Sequence, residues 1–301
     1  MLRHLRRVIP ACSSSNSSRT SSRNSSIAAA TAWQRLQKEA EEALDSSDRF
    51  GFGLMPMIKD RIFSRSSLAE SLSVTIGRKF DNNAAIDVGS MCAAAFAADP
   101  SLVDAAAADL ARWIELDPAA SGYLRIFLFF KGFHSVQCAR VAHSYWNRPG
   151  GGGRFAATAL QSEMADCFGV DIHPASQWGT GITMDHGGGC VIGETAVIGD
   201  NVYLMHDVTL GSTGTVSDHD RHPKIGRGAF LAAKCTVLGN VRVGQGAVVG
   251  AHTLVTKDVP DGYTAVGMPP TFRLLPPNKL RGNFAPSGQP MPPLLEYGEG
   301  I

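Results

Sequence analysis

No C-x-x-C pair occurs among the six cysteines of this 301-residue chain; Cys12, Cys92, Cys138, Cys167, Cys190 and Cys235 are widely scattered. Neither a disulfide framework nor a cysteine zinc site is expected, and a reducing compartment fits. Net charge is only +1, so no basic field points to nucleic acid. The longest run of bulky apolar residues, Ile126–Phe130, is far short of a membrane span, which excludes a transmembrane protein. Phe, Tyr and Trp together number 23 against 32 Gly, a balance that favours tight backbone corners. Acidic residues are missing from residues 1–38, which carry six Arg and one Lys, with nine Ser between Ser13 and Ser26. Arg-rich, Ser-rich and acid-free is the composition of an organellar transit peptide. The early arginines favour a mitochondrion over a plastid; a leader without an address, in the cytoplasm, is the alternative.

What is present divides in two. From residue 33 to 168 the pattern is helical. Ser67-x-x-Glu70 is a capping box opening a helix to about Lys79. Asp99-Pro100 starts another, with Leu102, Val103, Ala106, Leu110, Trp113 and Ile114 on one face, and Asp117-Pro118 ends it. Tyr123–Trp146 reads as one long helix, Gly150–Gly153 as a break, and Arg154–Phe168 as a last helix.

After Gly169 aliphatic residues recur every six positions: Ile192, Ile198, Leu204 and Leu210, then Ile225, Leu231, Val237, Val243, Val249 and Val255. Neither helix nor strand alternation has a period of six, whereas a β-solenoid does, one short strand and one corner per hexad. The step from Leu210 to Ile225 is 15, so a loop over 211–224 leaves the coil. A second slip, from Ile182 to Ile192, marks an irregular coil around Met184–Cys190. Departures from a regular scaffold are where function is expected. After Val255 prolines dominate, and an extended tail is expected over 261–301.

These hexads occur with Asp117-Pro118-Ala119, Lys131-Gly132-Phe133-His134, Asp171-Ile172-His173-Pro174-Ala175, Met184-Asp185-His186, Gly193-Glu194-Thr195, Asp220-Arg221-His222-Pro223-Lys224 and the terminal Glu296-Tyr297-Gly298-Glu299-Gly300-Ile301. Over most of 33–301 the set resembles the serine acetyltransferase family. The resemblance implies an α+β chain, an all-helical domain over 33–168 followed by a left-handed parallel β-helix over 169–260 and the tail; the leader read from composition takes 1–32. It also implies acetyl-CoA as donor, L-serine as acceptor, no metal, trimers that pair into hexamers, and cysteine as a feedback inhibitor at the serine pocket.

Acetyl transfer to a serine hydroxyl needs a base, because an alcohol is a weak nucleophile at neutral pH. His186, beside Gly187–Gly189, matches the family's catalytic base, and Asp171 matches the carboxylate that orients it, as in a triad whose hydroxyl comes from the substrate. Asp117 and Asp185 match residues on the ammonium side of serine. Arg221 is suited to a bidentate grip on its carboxylate, and His222 completes the pocket. Gly211, Thr213, Ala233 and Ala251 match the coenzyme cleft, while Ser212 and Thr215 depart from a Gly and a Lys usual there. The tail resembles one that enters the active site of O-acetylserine sulfhydrylase (cysteine synthase), with the Ile301 carboxylate mimicking an amino acid. Three other readings compete. A solenoid acyltransferase for a sugar or another amine would not need the Asp117, Asp185 and Arg221 set. A zinc hydratase would need several of His186, His206, His219, His222 and His252 to converge. A non-catalytic scaffold would need none of these residues.

Overall fold

The computed structural model describes residues 21–45, 51–80, 85–116, 122–214 and 219–267. Asp117, Thr215 and Ile301 lie outside the described residues. Eight α-helices come first among them: α1 (Ser21–Asp45), α2 (Gly51–Ile58, running on as a π-turn over Lys59–Phe63), α3 (Leu68–Phe80), α4 (Val88–Ala98), α5 (Ser101–Leu116), α6 (Tyr123–Phe129), α7 (Lys131–Trp146) and α8 (Gly151–Phe168). Helix α1 begins at Ser21, so the expected boundary at residue 33 falls inside it, and Ala32, Trp33 and Leu36 are buried. No single helix here is long and apolar enough to cross a membrane.

The expected helix over Tyr123–Trp146 is two helices. Phe130 is extended (ψ 106°) between α6 and α7. Two residues on, Gly132 lies so close to the Met184 carbonyl that a Cβ would collide with it. The break lets α7 abut the solenoid at this point, and Gly132 is its one local mark in the sequence. The Phe127 carbonyl, at the break, accepts instead from His134 Nε2 at 2.7 Å. The glycine run is also corrected: only Gly150, at φ 89°, lies outside α8, which opens at Gly151.

Burial holds the His134 imidazole neutral, its pKa pushed down to about 3. The unfolded chain takes up a proton near pH 6.5 that the folded chain refuses, so stability falls as pH drops from about 6.5 to 3. Each pH unit in that window removes about 1.4 kcal/mol. Urea unfolding at pH 5.5 and 4.5 checks this. The wild type is expected to lose about 1 kcal/mol more over the interval than His134→Gln, which keeps a donor but does not titrate.

Fourteen short parallel strands, two or three residues each, follow: β1 (Asp171–Ile172), β2 (Gln177–Trp178), β3 (Thr183–Met184), β4 (Val191–Ile192), β5 (Val197–Ile198), β6 (Tyr203–Leu204), β7 (Thr209–Gly211), β8 (Lys224–Ile225), β9 (Phe230–Leu231), β10 (Thr236–Leu238), β11 (Arg242–Val243), β12 (Val248–Val249), β13 (Leu254–Val255) and β14 (Thr264–Ala265). Strands three apart pair, except that β14 joins β12, giving three sheets: β1-β4-β7-β10-β13, β2-β5-β8-β11 and β3-β6-β9-β12-β14. This is a three-sided parallel β-helix. We call the sheets A, B and C in that order.

Register explains the period. Ile172, Ile192, Leu210, Val237 and Val255 align down sheet A, each buried on the axis, while the residue before each faces out. The hexads reach further back than the aliphatic pattern suggests, because Trp178 and Met184 hold axial positions in β2 and β3. The slip therefore runs from Met184 to Ile192, eight positions, and lies in the corner 185–190. The last coil continues past Val255 through a Val243–Val259 bridge to β14.

A buried ion pair docks the helices on the first coil. Asp109 of α5 accepts from Arg140 Nη1 (2.6 Å) and Gln137 Nε2 (2.8 Å) of α7, and from the Ile182 amide (2.7 Å). Arg140 Nη2 donates on to the Gly179 carbonyl at 2.7 Å. With Asp109 and both terminal guanidinium nitrogens of Arg140 hydrogen-bonded, a charge pair can stay in the core. It sets α5 and α7 against the chain leading into Met184-Asp185-His186.

Candidate active site

The described candidate residues gather at the two edges of sheet A. At the edge shared with sheet C, the corner between β3 and β4 carries Asp185 and His186. His186 has a left-handed backbone (φ 59°), uncommon for a residue with a side chain, and the following Gly187 and Gly189 also have positive φ. The corner turns on hydrogen bonds from Gly187 N to Asp185 O and Gly188 N to His186 O. The imidazole is thrown outward, 73% exposed, with its Nε2 3.7 Å from Asp185 Oδ1. A cavity of about 650 Å³ opens there between solenoid and helices, lined by Trp113, Phe130, Lys131, Asp185, His186 and Tyr203 among others. The ring of His206, one coil on, meets that of His186 edge-on at 5.8 Å. Its Nδ1 is buried without a hydrogen-bond partner among the described residues.

Asp171 begins β1, paired with Val191, and its side chain faces out from sheet A. Its Oδ1 accepts from Gln161 Nε2 of α8 at 2.7 Å. Within one chain, the structure gives the His186 imidazole Asp185, not Asp171, as its carboxylate within 4 Å. An outward strand residue held by a helix side chain does not reach round the corner.

At the opposite edge of sheet A, shared with sheet B, the loop after β7 returns through Arg221 and His222 onto the corner Gly193-Glu194-Thr195. Glu194 Oε2 accepts from Arg221 Nη2 at 2.8 Å. Thr195 Oγ1 accepts from the amides of Arg221 (3.1 Å) and His222 (3.0 Å), and the Thr195 amide donates to His222 Nδ1 at 3.1 Å. Nδ1 is thereby an acceptor, so neutral His222 carries its proton on Nε2. The ring lies where a Cβ on Gly193 would stand, which requires glycine at that position. Burial, and then the Arg221 charge, lower the His222 pKa, so the neutral form prevails at pH 7. Lys224 ties the loop down through Asp220 (2.5 Å) and the carbonyls of Thr195 and His222. This support is invisible as chemistry in the sequence; Gly-Glu-Thr sits at an ordinary hexad corner.

The coenzyme candidates divide likewise. Gly211 closes β7 and Thr213 follows it at the edge with sheet B. Ala233 and Ala251 occupy corners at the edge with sheet C, where the Ala233 carbonyl accepts from the His252 amide at 3.1 Å. Among the described residues no group of three or more His, Cys, Asp or Glu is placed to hold a metal ion.

A helical domain on a hexapeptide solenoid, with an exposed base at one edge and an arginine–histidine clamp at the other, defines an acyltransferase of the hexapeptide class. Residues 32–138 match the family described as serine acetyltransferase, N-terminal, and residues 222–257 match the bacterial transferase hexapeptide repeat. Serine acetyltransferase of Salmonella typhimurium is 38% identical over 239 residues, 79% of this chain and 85% of that protein. Probable serine acetyltransferase 1 of Oryza sativa is 43% identical, over 79% of this chain and 76% of its own. Serine acetyltransferase 2 of Arabidopsis thaliana is 51% identical over 161 residues, and there the match spans about half of the relative's length (49%). Soybean serine acetyltransferase complexed with serine superposes with a TM-score of 0.74 at 43% identity, covering 80% of this chain and 97% of that one. Serine acetyltransferases in complex with CoA and with cysteine match at TM-scores of 0.73 and 0.74 and 35% and 34% identity, over 80% and 83% of this chain and 98% and 95% of theirs. The chain belongs to the serine acetyltransferase family, and its solenoid is the left-handed β-helix of that fold.

Proposed function

We propose that this chain transfers acetyl from acetyl-CoA to the hydroxyl of L-serine, giving O-acetyl-L-serine and CoA. The observation that carries it is the exposed His186 with Asp185 beside it, together with an arginine held in place by Glu194 for a carboxylate. His186 takes the serine proton as the oxygen attacks the thioester carbonyl. Collapse of the tetrahedral intermediate expels the CoA sulfur, which receives that proton from the imidazolium. Asp185 stabilises the imidazolium and, with Asp117, the serine ammonium. Arg221 grips the serine carboxylate and His222 offers its Nε2–H. Cysteine presents the same two charged ends, so it would compete at this pocket.

His186 and Arg221 stand at opposite edges of sheet A. Their separation supports a closed oligomer, a trimer or pair of trimers, in which one copy's sheet-C edge meets the next copy's sheet-B edge. The test is release of free thiol from acetyl-CoA with and without serine. Serine-dependent release with O-acetylserine as product is expected; release indifferent to serine, or directed to a sugar, overturns the assignment. The tail reading is separate. An apolar terminal residue after Gly298 and Gly300 supports capture of the Ile301 carboxylate by O-acetylserine sulfhydrylase. Removing Ile301 should abolish that complex in calorimetry and spare acetylation; unchanged binding would refute it.

A further inference from the structure

Tyr203 opens β6, and its backbone pairs with Thr183 of β3, two residues before Asp185. Its ring stacks on Phe230 of the next coil, centroids 4.8 Å apart and planes 18° from parallel. Stacking of this kind fixes the ring and so places the phenol. The phenol oxygen donates to Asp185 Oδ2 at 3.0 Å. The other carboxylate oxygen, Oδ1, is the one 3.7 Å from His186 Nε2. Phe230, Tyr203, Asp185 and His186 thus form a continuous ladder across three coils, ending at the base and opening into the 650 Å³ cavity.

A carboxylate on a corner turns freely about its side-chain bonds unless something holds it. The ladder matters here because His186 projects into solvent from a left-handed corner and has Asp185 as its carboxylate within 4 Å. We infer that Tyr203 is a positioning residue: its phenol tethers one oxygen of Asp185 so that the other faces the cations of the site, the His186 imidazolium and the substrate ammonium. This rests on the proposed function for the identity of the substrate.

Tyr203→Phe keeps the ring and its stack and removes only the hydroxyl. Losing one charge-assisted hydrogen bond should raise the serine KM about tenfold and weaken serine binding in calorimetry by the same factor. The acetyl-CoA KM should stay within about twofold and the melting temperature should hold, since no packing is lost. If Tyr203 acts through Asp185, the substitution should have less than a twofold effect in an Asp185→Asn background. Wild-type serine affinity in Tyr203→Phe, or a tenfold loss repeated in the Asp185→Asn background, overturns the inference. Failure of the unaltered protein to bind serine at all would instead strike the substrate assignment.

Discussion

His186→Ala is expected to lower kcat by about two to four orders of magnitude, the usual share of a general base, with assembly and acetyl-CoA binding kept. The fold gives little reason for other damage, because the side chain is 73% exposed and packs in no core. The left-handed backbone at this corner is a separate matter, and alanine there carries the strain that any residue with a Cβ carries. His186→Asn separates the two effects, since asparagine tolerates the left-handed region but cannot act as a base near pH 7. Steady-state kinetics should show the same loss in both variants. A kcat within about threefold of wild type in either would remove His186 from the mechanism.

Arg221→Ala is expected to raise the serine KM by about a hundredfold, leaving the acetyl-CoA KM nearly unchanged. The guanidinium is already oriented by Glu194 at 2.8 Å, and its backbone is pinned by Thr195. Removing it deletes a fork aimed at a carboxylate and leaves Glu194 as an unbalanced negative charge facing the same ligand. Arg221→Lys should recover only part of the loss, because an ammonium is a point charge without the planar pair of donors. Equal rises in both Michaelis constants would mean collapse of the 219–224 loop rather than loss of a clamp.

Much of this architecture is legible in the residues. Ile192, Leu210, Val237 and Val255 advertise a solenoid because its axis accepts only apolar side chains in strict register. Even the division between edges is encoded, since three hexads make one coil and a residue's place in that count gives its corner. Trp178 and Met184 hide the first coil because they fill the axis without being aliphatic. The break at Phe130 is hard to read locally, for Gly132 is its only nearby mark and the Met184 carbonyl it lies against is more than fifty residues away. The resemblance pairs Asp171 with His186, yet within one chain Gln161 holds one while Asp185 stands by the other. Tyr203 reads as an ordinary outward strand residue; only coil stacking brings its hydroxyl to Asp185.

The central claim is that one site is assembled from the His186 edge of one copy and the Arg221 edge of another. Mixing subunits tests it most directly. His186→Ala and Arg221→Ala proteins, each nearly inactive at low serine, are unfolded together in equal amounts, refolded and assayed for serine-dependent thiol release. Random mixing around a closed ring should restore roughly a quarter of the wild-type sites, those where an intact His186 meets an intact Arg221. No recovery from a mixture that refolds and assembles as the wild type does would place both residues in the same copy's site and contradict the account.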